Sequence, residues 1–329
     1  MTAKKNYLTK LAILTLVGAS LFHASAVKGF AEQACAADPT HQRHITAPVL
    51  NYNEENGTKA IPGVVNRITY NLPGITTRNK WALPSLTLSA DGKRLSEKAV
   101  IMNGIVYVPL KESAEAIGKS TLTYDKTGKL ATLTMDGLVL SASDGGFVVY
   151  ANGRPLFGFS PSVVMSDGNM YVNAQAFAKA VGMTFTKTDS AATLKGSFRP
   201  LLSADKFYRE DEVLWLSRII QAESGGEPLI GQIAVGNVIM NRVKSPLYPN
   251  TIWGVIFDKR YGVQFSPISN GTIYNTPSYN ATLAAKIILE GTRLSDDVLF
   301  FLNPIYSQSG WIVENRTYAY SIGGHDFYK

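Results

Sequence analysis

The feature that most restricts the fold is an internal repeat between Ser85 and Gly196. Leu86-Thr87-Leu88-Ser89-Ala90-Asp91-Gly92-Lys93 is echoed by Phe147-Val148-Val149-Tyr150-Ala151-Asn152-Gly153-Arg154. Met102-Asn103-Gly104-Ile105-Val106-Tyr107-Val108 is echoed by Met165-Ser166-Asp167-Gly168-Asn169-Met170-Tyr171-Val172. Ala114-Glu115-Ala116-Ile117-Gly118 returns as Ala178-Lys179-Ala180-Val181-Gly182, at an offset of 64. Each copy reads as strand, Asx-Gly turn, strand, strand, short helix ending at a C-cap glycine, then further strands. The pairs Asp91-Gly92 and Asn152-Gly153 supply the positive φ that two-residue hairpins require. In the helices, Leu110, Ala114 and Ile117, and then Phe177, Ala178 and Val181, fall at helical spacing. Two copies of a small α+β unit are therefore expected to pack together.

The 329 residues are enough for more than one domain, and 45 % hydrophobic against 17 % charged is a globular composition. Residues 1–36 read as a secretory signal: Lys4, Lys5 and Lys10, an apolar run from Leu11 to Phe22, then Ala24-Ser25-Ala26. A second small-residue triplet, Ala34-Cys35-Ala36, leaves the cleavage site open between Ala26 and Ala36. The apolar run is shorter than the ~20 residues a spanning helix needs, and no other run is long enough. Once the signal is removed, a soluble extracytoplasmic protein with no stable membrane span is expected. Cys35 is the only cysteine, which excludes an internal disulfide. Glu32-Gln33 before it argue against lipidation. Residues 37–80, rich in Asn, Thr, Pro and Gly, read as a linker or irregular extension. Of the net charge of +7, three lysines belong to the signal, and the chain from Ser203 onward is slightly acidic. The remaining excess is spread too thinly for a phosphate-binding stripe, so no nucleic-acid partner is expected.

The junction Gly196–Ala204, with Pro200, separates a duplicated module over 81–200 from a second domain over 203–329. That domain opens with Asp211-Glu212-Val213-Leu214-Trp215-Leu216-Ser217-Arg218-Ile219-Ile220-Gln221-Ala222-Glu223, an amphipathic helix. Its acidic start suits the positive helix end, and Leu216, Ile219 and Ile220 form a stripe that Glu223 continues. The chain then breaks at Ser224-Gly225-Gly226, and Pro228 suits the first turn of the next helix. Ile230 to Val243 is apolar nearly all round and should be central to the core, with Arg242 and Lys244 in its last turn. A carboxyl at the end of a buried stripe has its pKa raised, which suits a general acid. Spacing alone leaves a second reading open, in which Glu223 is a helix-terminal glutamate paired with something like Arg242.

Two resemblances extend this reading. The duplicated segment resembles the family named after the N-terminal domain of copper amine oxidases, which implies a stalk or wall-associated module. Between Ser85 and Gly196 there is neither His nor Cys, so no copper site is expected. The second domain resembles the spore cortex-lytic, or cell wall hydrolase, family. The resemblance rests on Leu216 to Pro228, Gly231-Gln232-Ile233-Ala234-Val235, Asn241-Arg242-Val243-Lys244-Ser245-Pro246, Gln264-Phe265-Ser266-Pro267, Asn303-Pro304 and Gly323-Gly324-His325-Asp326-Phe327-Tyr328, in the family's order. It implies an α+β fold with a lysozyme-like, mainly helical catalytic domain. It also implies lytic cleavage between N-acetylmuramic acid and N-acetylglucosamine in peptidoglycan, with Glu223 as the catalytic glutamate. Protein of this kind would act at the cell wall or spore envelope.

One carboxyl group is enough for that lytic chemistry, whereas a paired-carboxylate hydrolase needs a second acid roughly 5–9.5 Å away. Glu227 is the nearest in sequence and reads better as a cap, while Asp258, Asp296, Asp297 and Glu314 read as solvated. Candidate substrate-binding residues are Gln264, Phe265 and Ser266, then Asn303 and His325. Against this stand a loop capped by its own side chains, with Phe265 in the core, and a structural role for His325. Leu302 occupies a position where the family carries an aromatic residue. Tyr274, Tyr279, Tyr306 and Trp311 are candidate groove aromatics. With a single histidine and no cysteine in the domain, neither a metal site nor any other cofactor is expected. The rivals are a hydrolytic muramidase and a non-catalytic protein binding the cell wall or spore coat.

Overall fold

A computed structural model of the protein describes residues 83–329, apart from Ser160, Asp167, Tyr261, Gln308 and Ser309. The secretory segment, the 37–80 extension and Cys35 lie outside the described residues. Two compact units divide the described chain: residues 83–209 with 289–292, and residues 210–288 with 293–329. The division at Arg209/Glu210 falls a few residues beyond the expected junction. No helix among the described residues is long and apolar enough to cross a membrane.

In the first unit, copy one supplies β1 (Ser85–Ala90), β2 (Lys93–Arg94), β3 (Ala99–Met102), β4 (Ile105–Pro109), α1 (Leu110–Ile117), β5 (Ser120–Asp125) and β6 (Leu130–Met135). A strand outside the repeat follows, β7 (Leu138–Ser143). Copy two supplies β8 (Val148–Ala151), β9 (Arg154–Phe157), β10 (Val163–Ser166), β11 (Asn169–Asn173), α2 (Ala174–Ala180), β12 (Thr184–Lys187) and β13 (Ala191–Lys195). Both Asx-Gly turns have the expected left-handed pairs, with φ of 48° and 76° at Asp91-Gly92 and 51° and 78° at Asn152-Gly153. Gly118 caps α1 with extended backbone, while Gly182 follows the α2 cap Val181 in the left-handed region.

The copies exchange strands instead of folding side by side. One sheet runs β10-β11-β4-β3-β1-β13-β12, with β2 on β1, and the other runs β5-β6-β7-β8-β9. The last strand of copy two thus lies parallel to the first strand of copy one, with Leu88 opposite Ala192. At the antiparallel β4–β11 seam, Val108 pairs with Val172, its own equivalent 64 residues on. Alternation along β1, β6 and β7 turns Leu86, Leu88, Leu133, Leu138 and Leu140 inward. They meet Leu110 and Ala114 of α1 and Phe177 and Ala178 of α2 in a single core.

After β13 the chain forms α3 (Ala204–Phe207). Residues 289–292 group with this unit because Glu290 is buried within it. Its carboxylate accepts from Arg154 Nε (2.7 Å), Arg154 Nη2 (2.8 Å) and Tyr208 Oη (2.5 Å), and pairs with Lys179 Nζ at 2.8 Å. The Arg154 guanidinium also lies 3.3 Å from the Phe207 ring centroid. Burial alone would raise the Glu290 pKa, but the bonds from Arg154, Lys179 and Tyr208 outweigh it and hold the pKa below the ordinary 4.5.

The second unit is built from α4 (Glu210–Ser224), α5 (Leu229–Lys244), α6 (Ile252–Ile256), α7 (Ser266–Asn270), α8 (Tyr279–Leu289), β14 (Phe300–Leu302), α9 (Trp311–Asn315), β15 (Tyr318–Ile322) and β16 (His325–Tyr328). The strands form one antiparallel sheet, β14-β16-β15. Glu210, Asp211 and Glu212 occupy the first turn of α4, and Leu216, Ile219 and Ile220 are fully buried. Pro228 stands at the N-cap of α5, one position before the first turn, and Arg242 and Lys244 sit in the last turn. Helix α5 is buried almost throughout, from Leu229 to Arg242.

Glu290→Gln should lower the stability of the first unit by about 3 kcal/mol, since it strips the charge from a buried pair. A depressed folded pKa stabilises above the unfolded value and ceases to do so as pH falls through the folded one. The deficit should therefore be full at pH 6 to 7 and shrink below about pH 4.5, the ordinary value, as calorimetry of both proteins across pH would register.

Candidate active site

Glu223 occupies the last turn of α4, and its neighbours fix that turn. Gln221 Oε1 accepts the Ser278 backbone N–H at 2.9 Å, and buried Ser224 donates its hydroxyl to the Ile220 carbonyl at 2.8 Å. The helix end is closed by Gly225 N–H to Gln221 O and Glu227 N–H to Ser224 O, both 2.9 Å. Glu223 is half-buried and keeps partial solvent access. Its carboxyl is nonetheless enclosed. Burial pushes its pKa up to about 7, against the opposing pull of the Arg242 guanidinium.

Arg242 comes from the last turn of α5 and is 6 % exposed. Its Nε donates to the Leu299 carbonyl at 2.8 Å, and its guanidinium lies 5.1, 5.2 and 5.7 Å from the ring centroids of Tyr248, Phe265 and Phe300. The same face of α5 carries Asn237 and Asn241. Asn237 Oδ1 accepts from the Leu294 and Ser295 N–H groups, and the Asn241 amide donates to the carbonyls of Ser295 and Val298. These three polar side chains clamp the 294–299 segment and deliver β14 to the site. Spacing points to Arg242 only as a possible salt-bridge partner. Three polar residues at i, i+4 and i+5 on a largely apolar helix are the signal that marks the clamp.

Asp258 corrects an expectation. Its loop context reads as that of a solvated acid, yet it is buried, and both its oxygens are held by Arg260, Nε to Oδ1 at 3.0 Å and Nη2 to Oδ2 at 2.8 Å. The hydrogen bonds from Arg260 lower its pKa despite partial burial. Asp296, Asp297 and Glu314 are not buried.

Glu227 and the C-terminal hairpin form a second cluster. One Glu227 oxygen accepts the Gly324 N–H at 2.9 Å, and the other lies 3.5 Å from His325 Nδ1 without a directed hydrogen bond. The approach is so close that a Cβ on Gly323 would fall 1.8 Å from Glu227 Oε2, and Gly323 has φ +57°. That is the physical reason for glycine in the Gly323-Gly324 block. His325 is 8 % exposed, and burial lowers its pKa against the opposing pull of Glu227 and Asp326.

The sequence candidates divide accordingly. Phe265 is 3 % exposed, its ring facing Arg242, and so takes the core position of its two readings. Gln264 donates to the Gly262 carbonyl at 3.2 Å within its own loop, and Ser266 is exposed at the start of α7. Asn303 accepts the Ile305 N–H at 3.0 Å and abuts Gly324, so Asn303 and His325 belong with Glu227. Tyr274, Tyr279 and Tyr306 are exposed, and Trp311 is half-buried against Arg316. Leu302 is buried. Among the described residues, no three His, Cys, Asp or Glu side chains cluster as a metal site would.

An enclosed carboxyl on a pinned helix end, its pKa raised to about 7 against the pull of a buried cation, has the chemistry a general acid would need. Comparison with known proteins gives the class a family. Residues 226–328 match the family described as Cell Wall Hydrolase, and residues 89–195 match the Copper amine oxidase N-terminal domain family. Glu223 lies just ahead of the first matched span. The spore cortex-lytic enzyme of Bacillus cereus is 33 % identical over 166 residues, covering 49 % of this chain and 62 % of that protein. The spore cortex-lytic enzyme of Bacillus subtilis (strain 168) is 34 % identical over 120 residues, covering 36 % of this chain and 38 % of that protein. The chain therefore spans at most about three fifths of either relative. Among solved structures, the catalytic domain of the germination-specific lytic transglycosylase SleB from Bacillus anthracis is 37 % identical, with 37 % of this chain covering 97 % of that one and a TM-score of 0.34. The C-terminal domain is thus a cell wall hydrolase domain over residues 226–328, preceded by a copper amine oxidase N-terminal-like module over residues 89–195. That module holds no His or Cys, so its residues do not fit a copper centre.

A raised folded pKa stabilises below the unfolded value and ceases to do so as pH rises through the folded one. Glu223→Gln should match the wild type in stability at pH 4 and exceed it above about pH 7. The gain should be on the order of 3 kcal/mol, because each tenfold weakening of an acid corresponds to about 1.4 kcal/mol. Denaturant melts at pH 4 and pH 8 measure the difference, and equal melts at pH 8 would exclude a poised acid.

Proposed function

We propose that this protein is a peptidoglycan-lytic enzyme that cleaves between N-acetylmuramic acid and N-acetylglucosamine, with Glu223 as its single acid and base. The observation that carries the reading is the Glu223 carboxyl, enclosed at the end of α4 and held near a pKa of about 7. An acid of that strength is still protonated in about half of the molecules at pH 7, and its carboxylate remains basic enough to take a proton back. In the first step Glu223 protonates the glycosidic oxygen, and the bond from muramic C1 to that oxygen breaks with its electron pair going to the oxygen. In the second, the muramic 6-hydroxyl oxygen bonds to C1, and its proton returns to the Glu223 carboxylate. The product is a 1,6-anhydro sugar, no water is consumed, and the acid is regenerated.

The lytic outcome is favoured over a paired-carboxylate hydrolysis by the state of the domain's other enclosed acids. Asp258 is engaged through both oxygens by Arg260, Asp326 accepts the Ser321 hydroxyl, and half-buried Glu227 is engaged by the Gly324 N–H. We further read the catalytic domain as lysozyme-like and residues 1–36 as a signal for export. On this reading the module is a stalk, and the protein acts on glycan strands of the cell wall or spore envelope.

Purified sacculi and mass spectrometry test the reading. Wild-type protein should release muropeptides one water lighter than the hydrolysed forms, with activity falling on the alkaline side around pH 7. Glu223→Gln should lower release by about 10²–10⁴-fold without loss of fold. Full activity in that variant would remove Glu223 from the mechanism, and reducing muramic ends would make the enzyme a hydrolase.

A further inference from the structure

The guanidinium of Arg242 is fixed more completely than a surface-facing arginine ever is. Its Nε is tied to the Leu299 carbonyl, and rings from three separate segments, Tyr248, Phe265 and Phe300, surround its head. Despite this, Nη1 is buried and has no hydrogen-bond partner. Buried donors are nearly always satisfied, so an open one on a charged group needs an explanation. The charged or titratable groups around Arg242 are Glu223, Asp258 and Tyr248. Asp258 is already engaged by Arg260 through both oxygens, which leaves Glu223 as the carboxyl still to be met. Arg242 is in turn the cation that acts on Glu223.

We propose that Arg242 is the positioning residue of this acid, its open Nη1–H reserved for the Glu223 carboxylate that forms as the proton leaves. The proposal rests on Glu223 being the general acid. In the protonated form that begins the reaction, Glu223 is a neutral carboxylic acid and makes little demand on the guanidinium. As the proton passes to the glycosidic oxygen, negative charge develops on the carboxyl, and the fixed cation with its open N–H is the group at hand to answer it. The interaction is thus stronger in the transition state than in the ground state, the condition for raising kcat and not merely tightening binding. Burial favours the neutral acid and Arg242 favours the carboxylate. Their opposition suits a group that must give a proton away and then take one back.

The full-length wild type and Glu223→Gln give the first test. The Arg242 guanidinium ¹⁵N–¹H signals should shift with pH around a midpoint near 7 in the wild type and stay flat in Glu223→Gln. Signals that stay flat in both overturn the proposal. Arg242→Lys and Arg242→Met give the second, with ¹³C-labelled glutamate reporting the Glu223 midpoint. It should rise by about one pH unit or more in the methionine variant and by less in the lysine variant. In muropeptide release, kcat should fall about 100-fold at nearly constant KM, with partial recovery in Arg242→Lys. A raised KM at unchanged kcat would place Arg242 on the substrate and overturn its role toward Glu223. The guanidinium titration needs no altered arginine, so it decides the matter even if both variants fail to fold. Absence of release by the wild type would sink the lytic reading instead, and the two titrations would still report whether Arg242 answers Glu223.

Discussion

A helix buried on nearly every side must satisfy its polar side chains from within the protein. Helix α5 meets that constraint, and much of the second unit follows from it. Asn237, Asn241 and Arg242 cannot turn to water, so each takes backbone groups from the 294–299 segment. A buried amide left open costs about 1–3 kcal/mol, enough to hold a loop that has no regular structure of its own. The clamp brings β14 against β16 and places the Arg242 guanidinium among its rings. At the other end of α5, Glu227 just ahead of Pro228 takes the Gly324 N–H and so seats the β15–β16 turn. One helix therefore organises both clusters of the candidate site.

The duplicated unit obeys a different constraint. A small α+β repeat presents more apolar face than it can cover alone, and exchanging strands covers it. The parallel β1–β13 pair and the β4–β11 seam make each copy depend on the other for its sheet neighbours. The extra strand β7 breaks the symmetry, standing between β6 and β8 where the other end of the repeat joins β13 directly to β1. The long-range ion cluster of Glu290 and Arg154 then adds a charged centre to a unit whose buried core is otherwise uncharged. Such a cluster is satisfied by geometry and stands or falls as a whole.

What was legible in the sequence is what depends on local periodicity. The Asx-Gly turns, the α4 stripe that ends at Glu223, and the all-round apolar character of α5 are all consequences of neighbours within a few residues. Strand exchange was not legible, because a repeat announces its elements and not which copy each strand joins. Glu290 and Asp258 escape a sequence reading for a related reason. Arg154 lies 136 residues from Glu290, and nothing near Glu290 signals its burial. Asp258 has its partner two residues away at Arg260, but a loop pattern alone does not reveal that the carboxylate turns inward. Phe265 is open between glycan face and core in the sequence, and the guanidinium of Arg242, from another element, decides it for the core.

The same distinction bears on Glu223. Its place on a helical face follows from periodicity, but its acidity is a property of the assembled site. Burial alone would leave a carboxyl that holds its proton too tightly to release it, and a direct ion pair would leave one permanently ionised. A cation anchored on a carbonyl and three aromatic rings offers an intermediate influence that neither water nor a mobile lysine would reproduce. For chemistry in which one carboxyl must act as acid and then as base, that balance matters more than the strength of either effect. Arg242, held by α5 and the clamp on residues 294–299, thus sets the acidity of Glu223 together with its burial.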